Sequence, residues 1–255
     1  MQDAVRIEQE REFHDQRFAA EEDRSSSRFY DITGRSAAAY REAVARLNPP
    51  AAVLELGCGD DAEAWQLSER GLDVTAIDIS PVAVEHALQR AQDAGSDRLH
   101  FSVMNAEELE FPDASFDGVI GSGILHHLDL SRSVPEVARV LRPDGVAVFL
   151  EPLGANPIVN LYRRLTPGER TPDEHPLLRQ DFELLQRWFE RVELQFFHLT
   201  SLAALGLLKT RYFERSLSVL ERIDERLLAR SSNLQLLSWF VVVTLGEPKV
   251  RAGRR

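Results

Sequence analysis

The sequence predicts an α/β protein with a doubly wound, mostly parallel sheet, and three observations carry that prediction. Short apolar runs of strand length (AAVLELG, DVTAIDIS, LHFSVMNA, FDGVIGSG and GVAVFLEP) recur through residues 51–152. Amphipathic runs of helix length, AEAWQLSERG and PVAVEHALQRAQDAG, follow the first two of them. Two such strand–helix units in succession need crossover connections, which make neighbouring strands parallel. The third observation is a glycine turn, GCGDD, at the first strand–helix junction.

Residues 1–47 read as a charged helical flap, EREFHDQRFAAEED and then GRSAAAYREAVARL, ended by Asn48-Pro49-Pro50. In the core, 51–152, Gly71 suits a left-handed helix C-cap, and Ser80 with Pro81 suits an N-cap and first helical position. The turn Arg142-Pro143-Asp144-Gly145 introduces the fifth strand. Residues 153–200 begin with an irregular stretch, NPIVNLYRRLTPGERTPDEHPL, too long for a minimal connection, before the helix DFELLQRWF and the strand ERVELQFFHL. Helical spacing makes 201–231 an insertion that packs as a lid on the core or forms a homodimer face, with a binding wall for a greasy substrate as the other reading, and 234–246 is the final strand. The 255 residues suit one domain with insertions.

A net charge of -11 opposes a nucleic-acid partner, because phosphate binding relies on Lys and Arg releasing counterions. The single cysteine, Cys58, and a charged beginning without a signal-peptide core fit the cytoplasm. No apolar run reaches the ~18–20 residues that span a bilayer.

The turn Gly57-Cys58-Gly59 lets a ligand approach the backbone at a helix N-terminus, which suits a nucleotide-like molecule. Asp78 ends the second strand, where a carboxylate can accept from both ribose hydroxyls. Residues 57–62 also satisfy the dinucleotide pattern, so an NAD-dependent oxidoreductase is one reading. Glu55 argues against it, since an acid two residues before the first glycine would repel pyrophosphate and prefers a cationic ligand. The α-amino group of S-adenosylmethionine (SAM) is such a cation.

In order, VLELGCG, VTAIDISP, MNAEELEFPDASFDGV, ILHHLD and RVLRPDG resemble the motifs of small-molecule class I SAM-dependent methyltransferases, of the methyltransferase type 11 kind. The resemblance covers residues 51 to about 152 and implies a Rossmann-like sheet of seven strands, mostly parallel with the last antiparallel. It implies that Glu55, Gly57 and Gly59, with Cys58 beside them, hold the methionine part of SAM. Asp78, followed by Ile79, would hold the ribose. Asn105 and Ala106 would read the adenine, and Ser122 and Gly123 would line the sulfonium side. Two residues depart from the family pattern: Asp61 stands where a third glycine is common, and Asn105 where an aspartate is. Asp61 suits a helix cap or a carboxylate facing a positive charge, and it also motivates a non-catalytic SAM-binding relative.

The implied activity is methyl transfer to an O, N or C atom of a small metabolite or natural product, giving S-adenosylhomocysteine. It requires alignment, sometimes a base, and no metal. His126 and His127 follow the fourth strand at the ligand edge of the sheet and are the candidate bases, and adjacent histidines tend to point apart. Arg170, Asp173 and His175 form a candidate substrate loop after strand five. In the flap, His14, Tyr30, Arg35 and Tyr40 could close over the cofactor, a tyrosine or arginine meeting its carboxylate.

Overall fold

A computed structural model describes residues 2–19, 31–59, 63–94, 97–166, 171 and 174–249. Seven strands form one sheet: β1 (Ala52–Leu56), β2 (Asp73–Asp78), β3 (Leu99–Val103), β4 (Phe116–Ser122), β5 (Leu141–Pro152), β6 (Phe189–Phe197) and β7 (Phe240–Pro248). Their order is β3-β2-β1-β4-β5-β7-β6. β1 to β5 pair in parallel, and β7 runs antiparallel to both β5 and β6, as the family resemblance implied.

Strand alternation explains the two helical layers. Val53, Ile120, Val148 and Val242 share one core with Val44 of α2 (Gly34–Val44), Leu67 of α3 (Ala64–Glu69) and Leu217 of α8 (Phe213–Leu228). Their neighbours Leu54, Val119, Phe149 and Val243 join the opposite core, with Val134 and Val137 of α5 (Leu130–Val140) and Phe182 and Leu185 of α7 (Arg179–Trp188). A period of two in the strands thus feeds two cores, which is what a sheet covered on both faces needs. α4 (Pro81–Ala94) packs on β2 and β3, and α1 (Gln2–Ala19) packs on α4. The expected cap of α4 is present, with Ser80 Oγ accepting from the Ala83 N–H at 3.2 Å.

Several boundaries differ from the sequence reading. NPIVNLYRRL is a helix, α6 (Pro157–Leu165), started by Asn156 Oδ1 accepting from the N–H groups of Ile158 and Val159 at 2.9 and 3.1 Å, with Pro157 at the first position. The segment RPDG lies within β5: Leu141 pairs with Phe116 and Val146 with Gly118, so the intervening residues bulge from the ladder. The final strand begins at Phe240, because Ser231 caps a short helix, α9 (Ser232–Leu236), in the preceding LQLLSW region. α2 is core structure and not part of a flap, since its own Tyr40, Ala43 and Val44 are buried in the core.

The 201–231 insertion packs on the core through Leu202, Ala204 and Leu217. Asp224 of α8 ties it down by accepting from the N–H groups of Leu199, Thr200 and Ser201 at 2.6–3.1 Å. Beside it, His198 is buried with its Nε2 2.9 Å from Ser36 Oγ. Burial pushes His198 down to about 4, aided by Arg35 and opposed by Asp224. The fold therefore keeps His198 neutral where the unfolded chain, with its histidine near 6.5, binds a proton. Stability from this group is complete above pH 6.5 and is lost as pH falls towards 4. Between pH 7 and 5 the loss is about 2 kcal/mol. Urea midpoints at the two pH values check this, and His198→Asn, which tolerates the residue's positive φ of 66°, should show a smaller drop by that amount.

Candidate active site

The strand order reverses at β1, where the chain leaves towards β2 and β3 and returns to β4 on the other side. In a doubly wound sheet the crevice beyond the carboxyl ends at this point is where ligands bind. A cavity of about 1050 Å³ opens there. That is at the large end of the ~300–1,000 Å³ usual for small-molecule sites. Glu55, Gly57, Cys58, Gly59, Asp78, Ile79, Asn105, Ala106, Ser122 and Gly123 all line it, so the four segments named from the sequence do converge. Gly57 and Gly59 have φ of 66° and 52°, and a Cβ on Gly57 would lie 2.7 Å from Ile124 Cδ1. A side chain at Gly57 is disfavoured on both grounds, and one at Gly59 by its backbone.

The acids do more than the sequence suggested. Glu55 accepts from the N–H groups of Glu63 and Ala64 at 3.0 and 2.8 Å, placing its carboxylate on the N-terminus of α3. A helix terminus that could hold a phosphate is thus already filled by the chain's own anion, which disfavours a dinucleotide. Asp78 organises the turn, with Oδ2 accepting from Gly59 N–H and Oδ1 from Ser80 N–H, both at 2.9 Å. Asn105 Oδ1 accepts from Glu107 N–H at 2.9 Å, so a ligand would share that oxygen. Burial, with Asp78 and Glu55 nearby, pushes the Cys58 thiol up, which makes it a packing residue and not a nucleophile.

α1 supplies the opposite wall with Arg6, Glu10, His14, Arg17 and Phe18. Arg6 Nη2 reaches both oxygens of the buried Glu107 at 2.6 and 2.7 Å and anchors the helix to the loop after β3. Glu10 and His14 stand one turn apart on the same helix face, with Glu10 Oε2 3.6 Å from His14 Nε2 and 3.5 Å from His127 Nδ1. Thr171 donates to the other oxygen of Glu10 at 2.6 Å. Burial pushes the Glu10 carboxyl up, but His127, His14 and Thr171 outweigh it and hold the group well below the usual carboxylate range. Burial lowers His127, against the pull of Glu10, so the imidazole is neutral near pH 7. Sequence reading named His14 and missed Glu10; the available signal was the i, i+4 spacing.

His126 and His127 differ in placement. Only His127 lines the cavity. His126 is buried, its Nδ1 2.8 Å from Glu151 Oε2, while Glu151 Oε1 accepts from Ile124 and Leu125 N–H at 2.9 and 2.8 Å. This corrects the reading of His126 as a base and adds Glu151, the fully buried end of β5, as the residue that shapes the 124–127 turn. The two rings nevertheless stay close, 4.2 Å between centroids, and do not point apart.

Other expectations are redrawn. Arg35 pairs with Glu225 of α8, away from the cavity, and Tyr40 belongs to the core. His175 is partly exposed, its Nε2 3.2 Å from Asp181, and does not line the cavity. Tyr30, Asp61, Arg170 and Asp173 lie outside the described residues. No described residue of 201–231 lines the cavity either.

Comparison with known proteins agrees with this geometry. The family model described as a methyltransferase domain matches residues 54–149. An O-methyltransferase, cnsE, of Penicillium expansum is 30% identical over 202 residues, 72% of this chain and 73% of that one. The chain belongs to the class I SAM-dependent methyltransferases. The 27-O-demethylrifamycin SV methyltransferase of Amycolatopsis mediterranei is 42% identical over 96 residues, 36% of this chain and 35% of that one. This methyltransferase thus spans about 35–42% of the length of the first curated relatives it matches. A phosphoethanolamine N-methyltransferase of Haemonchus contortus, solved with S-adenosylhomocysteine, superposes with a TM-score of 0.60 at 21% identity, covering 83% of this chain and 53% of that one. That likeness is one of fold. The cofactor of the family is SAM, and the cavity of this methyltransferase is lined by the carboxylates of Glu55 and Asp78 and by the glycine turn, with Glu55 occupying the N-terminus of α3. Among the described residues no helix is long and apolar enough to cross a membrane.

Proposed function

We propose that this methyltransferase methylates an oxygen of a small molecule, with SAM held by the sheet edge and the acceptor met by α1 and the 124–127 turn. When bound, SAM supplies a methyl group on a cationic sulfonium. Asp78 would accept from the ribose hydroxyls, Glu55 would face the α-amino group, Asn105 and Ala106 would meet the adenine, and Gly57 and Gly59 would allow close approach. Ser122 and Gly123 would border the sulfonium. Ile7, Ile124 and Leu128 add apolar wall, which excludes water from a charge-neutralising step.

The observation that carries the reading is the Glu10–His14–His127 cluster on the wall of the same cavity. A hydroxyl acceptor must lose a proton, and this group of side chains on the cavity wall can draw it away. Two relatives named for O-methylation support the choice of oxygen. The test is incubation with methyl-labelled SAM and a panel of phenols, alcohols, amines and activated carbon acids. Label in methyl ethers is expected, and label confined to nitrogen or carbon overturns the assignment. His127→Gln should lower turnover by about 100-fold or more. Its affinity for S-adenosylhomocysteine, read by calorimetry, should change by much less, and equal losses in both would refute a role directed at the acceptor.

A further inference from the structure

The Glu10–His14–His127 cluster has a geometry that hydrogen bonding among its members does not explain. Glu10 is buried, and its Oε2 and His127 Nδ1 are buried atoms with no hydrogen-bond partner. A ring N–H that donates to a carboxylate closes to about 2.7–3.2 Å. Here Oε2 stands 3.6 Å from His14 Nε2 and 3.5 Å from His127 Nδ1, and the three donor atoms all lie within 4.8 Å of one another. An ion with tetrahedral bonds of about 2.0–2.1 Å holds its ligands roughly 3.3–3.4 Å apart. The separations of 3.6 and 3.5 Å from Glu10 are close to that spacing, and the third lies within 4.8 Å. Thr171 holds Oε1 at 2.6 Å, which orients the carboxylate and leaves Oε2 turned to the histidines.

We propose that Glu10, His14 and His127 bind a divalent first-row transition ion of the zinc class, where the sequence called for no metal. Two imidazoles and one carboxylate make a three-ligand set that leaves a coordination position open. All three residues line the cofactor cavity, so the open position is accessible from it. Its ligand is an oxygen donor, water or the acceptor's hydroxyl. With the ion bound, His127 is a ligand and no longer a free base, so the ion would take over the part proposed above for the free cluster: it would acidify the hydroxyl in the open position, whose proton would leave to solvent. The site itself stands independently of the proposed O-methylation; only the use of the open position rests on that reading.

The test uses the untagged full chain, stripped with chelator and titrated with Co²⁺ and, separately, Zn²⁺. One ion per chain is expected, with the intense visible absorption of tetrahedral Co²⁺. Glu10→Gln and His14→Gln should each weaken Co²⁺ binding by more than roughly tenfold, the scale carried even by groups that only orient a ligand. His175→Gln, away from the cavity, should bind as the wild type does. Absence of stoichiometric binding by the wild type, or unchanged binding in both cluster variants, overturns the site. Should those variants fail to fold, paramagnetic shifts in the Co²⁺-loaded wild type decide, since they must fall on the ring protons of His14 and His127. Calorimetry with S-adenosylhomocysteine on the metal-free chain tests cofactor binding alone, so the two ideas can fail separately.

Discussion

Asp78→Ala is expected to weaken S-adenosylhomocysteine binding by about 100-fold or more, measured by calorimetry. Two charge-assisted hydrogen bonds to a ribose are each worth about 1.5–3 kcal/mol, so losing both reaches that scale even after water fills the gap. The carboxylate also serves the empty fold, receiving Gly59 N–H and Ser80 N–H at 2.9 Å. Its removal therefore loosens the glycine turn and costs stability of about 1–3 kcal/mol besides. Asp78→Asn separates the two roles. It keeps the shape and one acceptor oxygen but sets an NH₂ against a backbone donor, so its affinity should lie between those of Ala and the wild type. Unchanged affinity in the Ala variant would remove Asp78 from the ribose site.

Glu151→Ala is expected to be the most damaging single change to the fold near the site, at about 3–5 kcal/mol by urea unfolding. The fully buried side chain satisfies Ile124 N–H, Leu125 N–H and His126 Nδ1 together, and truncation orphans all three. Since these groups set the turn that ends in His127, turnover should fall with stability even where the variant remains folded. Glu151→Gln should recover most of both. Its amide oxygen can keep the two backbone donors, while its NH₂ donates to His126 once the imidazole takes its other tautomer. A Gln variant as unstable as Ala would show that charge, and not hydrogen-bond satisfaction, holds this turn.

Much of the sheet was legible because its signals are local. A strand buried on both faces must be apolar throughout, as VLEL and VTAI nearly are, and a glycine turn between strand and helix must be built of residues that tolerate positive φ. The residues lining the cavity from the sheet were legible for the same reason: they sit at strand ends, and parallel topology alone carries those ends to one edge. RPDG was misread because turn chemistry also suits a bulge, and LQLLSW because a short apolar run does not declare its period.

What the sequence by itself determined was the parallel α/β core, the residues brought to its ligand edge and the class of cofactor they suit. What only the tertiary structure decided was which residues work together across the chain. Glu10 meets His127 from 117 positions away, Glu151 claims His126, and Arg35 turns to Glu225. Such pairings follow from how α1 and α8 dock on a finished sheet, and docking depends on surfaces assembled from many segments at once, for which no local pattern exists.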